Sequence, residues 1–226
     1  MPKLLVANFK SYTVNMSVWI EAFTPLFQAR KGIEVVVTPH FLDLSGCASR
    51  LPAGLALGAQ DVSPFPAGAY TGSIPAAVLK ERGVRYVIVG HSERRHYFHE
   101  TTSDVARKIH EACEVGLTPI VCLEEADIIP QFATLSDAEA EACYFCYEPS
   151  VDIGGTVTAP RAQIERVTAA IRQHSGGRGV MYGGSVTAAN VEELVGLNLA
   201  GFIVATASLD PVQFGHILTK VAHGTD

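Results

Sequence analysis

The 226-residue chain is 48% hydrophobic and 18% charged, which permits a buried core and excludes a largely disordered protein. A formal charge of −6 and an isoelectric point near 5.7 exclude a broad basic nucleic-acid footprint, so no nucleic-acid partner is expected. No apolar run approaches the ~18 residues of a membrane span, and the run at 4–7 is too short for a signal-peptide core, so no membrane partner is expected either. The five cysteines, an odd number without framework spacing, point to a reducing, cytoplasmic setting.

From the amino end, a first strand over 4–8 runs into Asn8-Phe9-Lys10, and strands over 34–38 and 55–60 follow. A fourth, at 86–90 in the continuous apolar run VRYVIVG, ends on His91-Ser92-Glu93-Arg94-Arg95. Such unbroken runs fit parallel strands covered on both faces. The spacing predicts a helix over 103–115, opened by Ser103 and Asp104 and stopped by Gly116. A fifth strand at 119–123 precedes the least regular segment, 124–142, which holds at most a short helix. The sixth, at 143–147, delivers Glu148-Pro149. Pro160 and the apolar Ile164, Val167, Ala170 and Ile171 predict a helix within 159–177. A seventh strand at 180–183 runs into Gly184-Ser185, and an eighth at 202–205 ends on Ala205-Thr206.

Eight strand–helix units over this length average about 28 residues each, compact for a (β/α)8 barrel but within its range. A doubly wound sheet alternates in the same way, so periodicity alone leaves both open. Each polar group also has an ordinary explanation. Lys10 reads as a solvated strand-end lysine, His91 as a structural histidine, Glu93 to Arg95 as a charged helical turn, Glu148 as a loop acid, and Gly183-Gly184 as a turn. Their joint placement says more. In a parallel barrel the strand C-termini share one face, where these groups converge on one site.

The stretch CYFCYEP offers a competing redox or metal reading. A redox Cys-x-x-Cys sets its thiolate at a helix N-terminus, whereas Cys143 and Cys146 fall within a strand, where residues three apart face opposite sides. No second cysteine pair completes a metal site, and His96 with His99 is equally incomplete, so no metal is expected. Glu148 carries the chemistry of this stretch.

Asn8-Phe9-Lys10, Gly90-His91-Ser92-Glu93-Arg94-Arg95, Tyr147-Glu148-Pro149 and Tyr182-Gly183-Gly184-Ser185-Val186 closely resemble triosephosphate isomerases, in the same order. AQDVSPFPAGAYTG at 59–72 resembles the family's dimer-forming loop, and VCLEE at 121–125 its fifth strand. The length resembles archaeal members, while the His91 and Tyr182 motifs resemble the bacterial form. The resemblance implies a single (β/α)8 TIM barrel over 1–226 acting in glycolysis and gluconeogenesis without metal or organic cofactor. It implies Glu148 as the base that removes a carbon-bound proton from dihydroxyacetone phosphate or glyceraldehyde 3-phosphate, and His91 as the group that polarises the carbonyl. By the same resemblance Lys10 faces the substrate, Asn8 hydrogen-bonds it, and Glu93 orients the lysine. Gly154, Gly184, Ser185, Ala205 and Thr206 hold the phosphate, and Thr71 enters a neighbouring subunit of at least a homodimer.

The chain departs from the family at four places: Gly154-Gly155-Thr156 where the lid has Gly-Thr-Gly, Ala205-Thr206 where many members have two glycines, Ser73 where a glutamate often stands, and a shortened 124–142. Two other readings stay open: another phosphosugar barrel such as an epimerase or aldolase, and a non-catalytic phosphate-binding protein.

Overall fold

In a computed structural model, which describes residues 2–149, 158–176 and 178–224, eight parallel strands close into one barrel in sequence order. They are β1 (Lys3–Asn8), β2 (Ile33–Thr38), β3 (Leu55–Ala59), β4 (Val84–Val89), β5 (Thr118–Leu123), β6 (Tyr144–Tyr147), β7 (Val180–Tyr182) and β8 (Gly201–Val204). Pairing of β1 with both β2 and β8 closes the circle, which decides between a barrel and an open doubly wound sheet. The outer helices include α1 (Met16–Phe23), α2 (Leu44–Ala48), α3 (Ala76–Glu81), α4 (Ser92–Tyr97) and α5 (Thr102–Glu114). They continue with α6 (Ile128–Phe132), α7 (Asp137–Ala142), α8 (Arg161–Arg172), α9 (Val191–Val195) and α10 (Pro211–His223).

Period-two alternation along each strand splits the core into two layers. Leu4, Val6, Val36, Ile88, Cys122 and Cys146 belong to a cluster made only of strand residues and their flank, the barrel interior. Leu5, Ala7, Val35, Val37, Val89 and Cys143 belong to the cluster that also takes in helix residues such as Ile109, Val167 and Phe214. Cys143 and Cys146 therefore face opposite layers, as strand geometry requires.

Two expectations need correction. Segment 124–142 holds more than one short helix: a 3-10 turn at Glu125–Asp127 leads into α6, and α7 follows. Ser136 caps α7 by accepting from the Glu139 N–H while the Glu139 carboxylate accepts from the Ser136 N–H, so the S-x-x-E pattern marks a start that apolar periodicity does not. Helix α5 is opened by Thr101 rather than Ser103, because the Thr101 hydroxyl accepts from the Asp104 N–H and the Asp104 carboxylate accepts from the Thr101 N–H. Those bonds from Thr101 hold the Asp104 carboxyl down at about 2.

The turn after β8 is anchored from across the molecule. Trp19 on α1 packs edge-on against Phe9, stacks on Phe23, and donates its indole N–H to the Ser208 carbonyl at 2.8 Å. Ser208 closes a 3-10 turn, Thr206–Ser208, by donating its hydroxyl to the Ala205 carbonyl at 2.7 Å. Trp19→Phe keeps most of the ring packing but removes a buried N–H donor. We expect it to lower the unfolding free energy by about 1–2 kcal/mol, read from urea denaturation midpoints with unchanged m-value.

Candidate active site

Lys10 lies two residues past Asn8, the end of β1, with φ of 48°, a left-handed conformation that costs a side-chain-bearing residue about 1–2 kcal/mol. Two bonds hold it there. Its N–H donates to Asn8 Oδ1 at 3.0 Å, and its ammonium Nζ donates to Glu93 Oε1 at 2.7 Å. The amine is thus aimed by an acid on α4, more than eighty residues along the chain.

His91 ends β4's extension and serves as the N-cap of α4, its ring buried. The Glu93 N–H donates to His91 Nδ1 at 3.2 Å. A ring nitrogen that accepts carries no proton, so this bond assigns the ring's N–H to Nε2. Nε2 in turn stands 3.5 Å from Glu148 Oε1. Glu93 therefore acts twice, with its main chain on His91 and its carboxylate on Lys10.

Glu148 follows β6 directly and is 1% exposed. Its N–H donates to the Leu123 carbonyl at 3.0 Å, carrying the β5–β6 ladder one residue further. Its Oε2 is buried with no hydrogen-bond partner among the described residues. A carboxylate buried this deeply is costly in a core and calls for a functional reason. Beneath it, burial first, then the Cys146 thiol and the Glu148 charge, push the Cys122 thiol well up, so the floor of the site stays uncharged.

Backbone room beside Glu148 comes from glycine. A Cβ at Gly183 would lie 2.9 Å from both Glu148 Cγ and Oε1, and one at Gly184 would lie 2.3 Å from the Tyr182 hydroxyl. That hydroxyl accepts the Ala159 N–H at 3.0 Å, while Tyr147 OH accepts from Gln163 at 2.9 Å. Ser185, with φ of 51°, begins a turn braced by Asn190, whose amide donates to the Ser185 carbonyl and accepts from the Thr187 N–H.

A cleft of about 50 Å³ collects Lys10, His91, Glu148, Ser185, Ala205 and Thr206 along one lining. Gly183 lines it as well, a residue that sequence reasoning passed over as half of a turn although its adjacency to Gly184 was the available signal. Asn8 and Glu93 act on the lining through Lys10 and His91. Gly184 packs on Tyr182 instead. Gly154, with the rest of the lid departure, lies outside the described residues. Thr71 is exposed and away from this cleft, in the segment bordering a separate cavity of about 340 Å³ that Gly72, Ile74, Phe41 and Phe98 help to line. Among the described residues no group of three or more His, Cys, Asp or Glu side chains is arranged to hold a metal ion.

A family model described as triosephosphate isomerase matches residues 3–221. A triosephosphate isomerase of Deinococcus radiodurans is 38% identical over 92% of this chain and 95% of that relative. One of Synechococcus sp. (strain JA-3-3Ab) is 36% identical over 96% and 94%, and one of Mesomycoplasma hyopneumoniae 35% identical over 97% and 100%. A match spanning all eight strands, with its polar residues gathered on one cleft, leaves no reason to keep the open-sheet alternative: the chain belongs to the triosephosphate isomerase family.

Proposed function

We propose that the chain, as an enzyme of this family, interconverts dihydroxyacetone phosphate and glyceraldehyde 3-phosphate through an enediolate, with Glu148 as base and His91 as electrophile. The observation that carries this reading is the buried Glu148 carboxylate, one oxygen beside His91 Nε2 and the other without a partner among the described residues. Glu148 takes the proton from the carbon next to the carbonyl. The Nε2–H of His91 donates to the carbonyl oxygen as negative charge grows there, then exchanges protons between the two oxygens of the enediol. Lys10, fixed by Glu93, adds positive charge at the same oxygens and draws the anionic substrate into an otherwise acidic protein.

The phosphate lies between the Ser185 turn and the Ala205-Thr206 turn, and the family resemblance adds Gly154 to the residues that hold it. The two turns share the cleft with Lys10, and Ser185 has a left-handed backbone, the conformation from which anion-binding nests of amides are built. Neither an epimerase nor a Schiff-base aldolase has support here, since among the described residues the cleft's lining offers a single carboxylate and a lysine engaged by Glu93.

The chain works as a homodimer in the cytoplasm. Tyr12, Phe41, Leu42, Tyr97 and Phe98 are exposed, Leu42 at 80% and Tyr97 at 69%, an apolar surface that a monomer would leave in water. Stacking of Phe65 on Tyr70, with centroids 4.4 Å apart, stiffens the loop that precedes Thr71. That loop enters the other subunit and sets Thr71 near the partner subunit's Asn8 and Lys10, across an isologous interface.

Three outcomes test these statements. Glu148→Asp retracts the base by roughly 1 Å and should cut turnover by at least about a hundredfold in a folded protein, measured by a coupled glyceraldehyde 3-phosphate assay. Wild-type-like turnover would remove Glu148 as the base. Gly183→Ala drives a methyl into the Glu148 side chain and should lower kcat roughly ten- to a hundredfold while far-UV circular dichroism stays native. Light scattering at micromolar concentration should report twice the mass of one chain. A fully active monomer would reject the shared-subunit arrangement.

A further inference from the structure

The chain's one tryptophan is buried on α1 and reaches two parts of the cleft at once. Its ring meets Phe9 edge-on, with centroids 5.1 Å apart, and Phe9 is the residue between Asn8 and Lys10. Its indole N–H donates to the Ser208 carbonyl at 2.8 Å. Packing does not require that bond, because Trp19 meets the rings of Phe9, Phe23 and Phe214, which a phenyl group would meet as well. The turn after β8 does require it. Ser208 ends the 3-10 turn Thr206–Ser208, and the last carbonyls of a helical turn find no partner within it.

We propose that Trp19 is a positioning residue for the substrate's phosphate, acting through Ser208 on the Ala205-Thr206 turn; the proposal rests on the triose phosphate reading of the cleft. The relay is short and buried. Ser208 is 0% exposed and donates both its N–H and its hydroxyl to the Ala205 carbonyl, at 2.8 and 2.7 Å. The Leu209 N–H then donates to the Thr206 carbonyl at 3.2 Å. Ala205 and Thr206 line the cleft beside Ser185 and Lys10. Trp19 thus holds Ser208, Ser208 holds Ala205, and the turn is set before an anion arrives. A turn already in its binding conformation avoids the ordering cost of binding.

The effect falls on binding rather than on chemistry. Glu93 sets His91 and Lys10, and the Leu123 carbonyl holds the Glu148 N–H; none of those bonds passes through Trp19. A phosphate held equally in the ground and transition states lowers KM and leaves kcat alone. Trp19→Phe keeps a ring against Phe9 and removes the bond to the turn.

The test measures steady-state kinetics of the intact protein on glyceraldehyde 3-phosphate, with inorganic phosphate as the competing anion, below the onset of unfolding. In Trp19→Phe, KM and the inhibition constant for phosphate should both rise about three- to tenfold, with kcat within about twofold of wild type. Ser208→Ala removes the hydroxyl bond to Ala205 and should raise both constants as well. Tyr86→Phe is the structural control. It removes a hydroxyl bonded to Glu34 at 2.7 Å near the strand starts, and should lower stability while moving neither constant. Emission of the single tryptophan in the wild type should change as phosphate is added, with its midpoint at the inhibition constant. Unchanged constants in a folded Trp19→Phe would overturn the proposal and leave the triose phosphate reading standing. So would a fall in kcat with KM unmoved, or an equal rise of both constants in Tyr86→Phe. A wild type that isomerises its substrate without inhibition by phosphate would remove the phosphate site, and the role of Trp19 with it.

Discussion

The geometry of the cleft turns on one backbone hydrogen bond, from the Glu93 N–H to His91 Nδ1. Reversing the ring's tautomer would remove the N–H from the side that meets Glu148 and put it against another donor. The same residue that gives this bond also gives the carboxylate that aims Lys10. Electrophile and cation are therefore set by a single turn of chain, and neither can be reoriented without disturbing the other. Glu148 comes from a different strand and meets them only because the barrel closes.

That turn sits at the start of α4, which has six residues, fewer than an isolated helix needs for stability. Its orientation depends on tethers. Arg95 donates to the Gly90 carbonyl at 2.8 Å and to Gln131 on α6 at 2.9 Å. Arg94 pairs with Asp61 beyond β3 and with Glu100, and Lys108 on α5 pairs with the same two acids. Burial pushes Asp61 up, opposed by the Lys108 and Arg94 charges that favour its ionised form. Buried ion networks of this kind contribute little net stability over apolar packing, but removing one member strands the rest. Their effect here is positional: they hold a short helix whose first residues do the chemistry.

Much of this is legible in the sequence because it depends on local order. Continuous apolar runs mark the strands, and strand alternation by itself assigns Cys143 and Cys146 to opposite layers, where the barrel holds them. Polar residues next to the run ends mark the rim, and Lys10, His91 and Glu148 share one cleft. What escapes depends on neighbours distant in the chain or on backbone conformation. Arg94 and Arg95 read as an ordinary charged turn, since nothing local names Asp61 or Gln131 as their partners. Helices α6 and α7 are too short to show a period, and α7 is marked chiefly by its cap. The positive φ of Lys10 and Ser185 leaves no trace, because neither residue type favours it.

The cysteines show the same division between what a sequence reports and what a fold adds. Spacing alone poses Cys143 and Cys146 as a pair and strand geometry dissolves it, while the β5–β6 register sets Cys146 opposite Cys122 instead. Cys122 and Cys146 are matched by strand register inside a closed barrel, so their chemistry is sealed and their contribution is an uncharged floor under Glu148. Cys143 lies in the outer layer instead, fully buried, and Cys113 on α5 sits partly buried at the edge of the same layer. The same side chain thus has different neighbours on the two faces of one strand. Position in the layers, rather than the spacing of a motif, decides what each thiol in this barrel packs against.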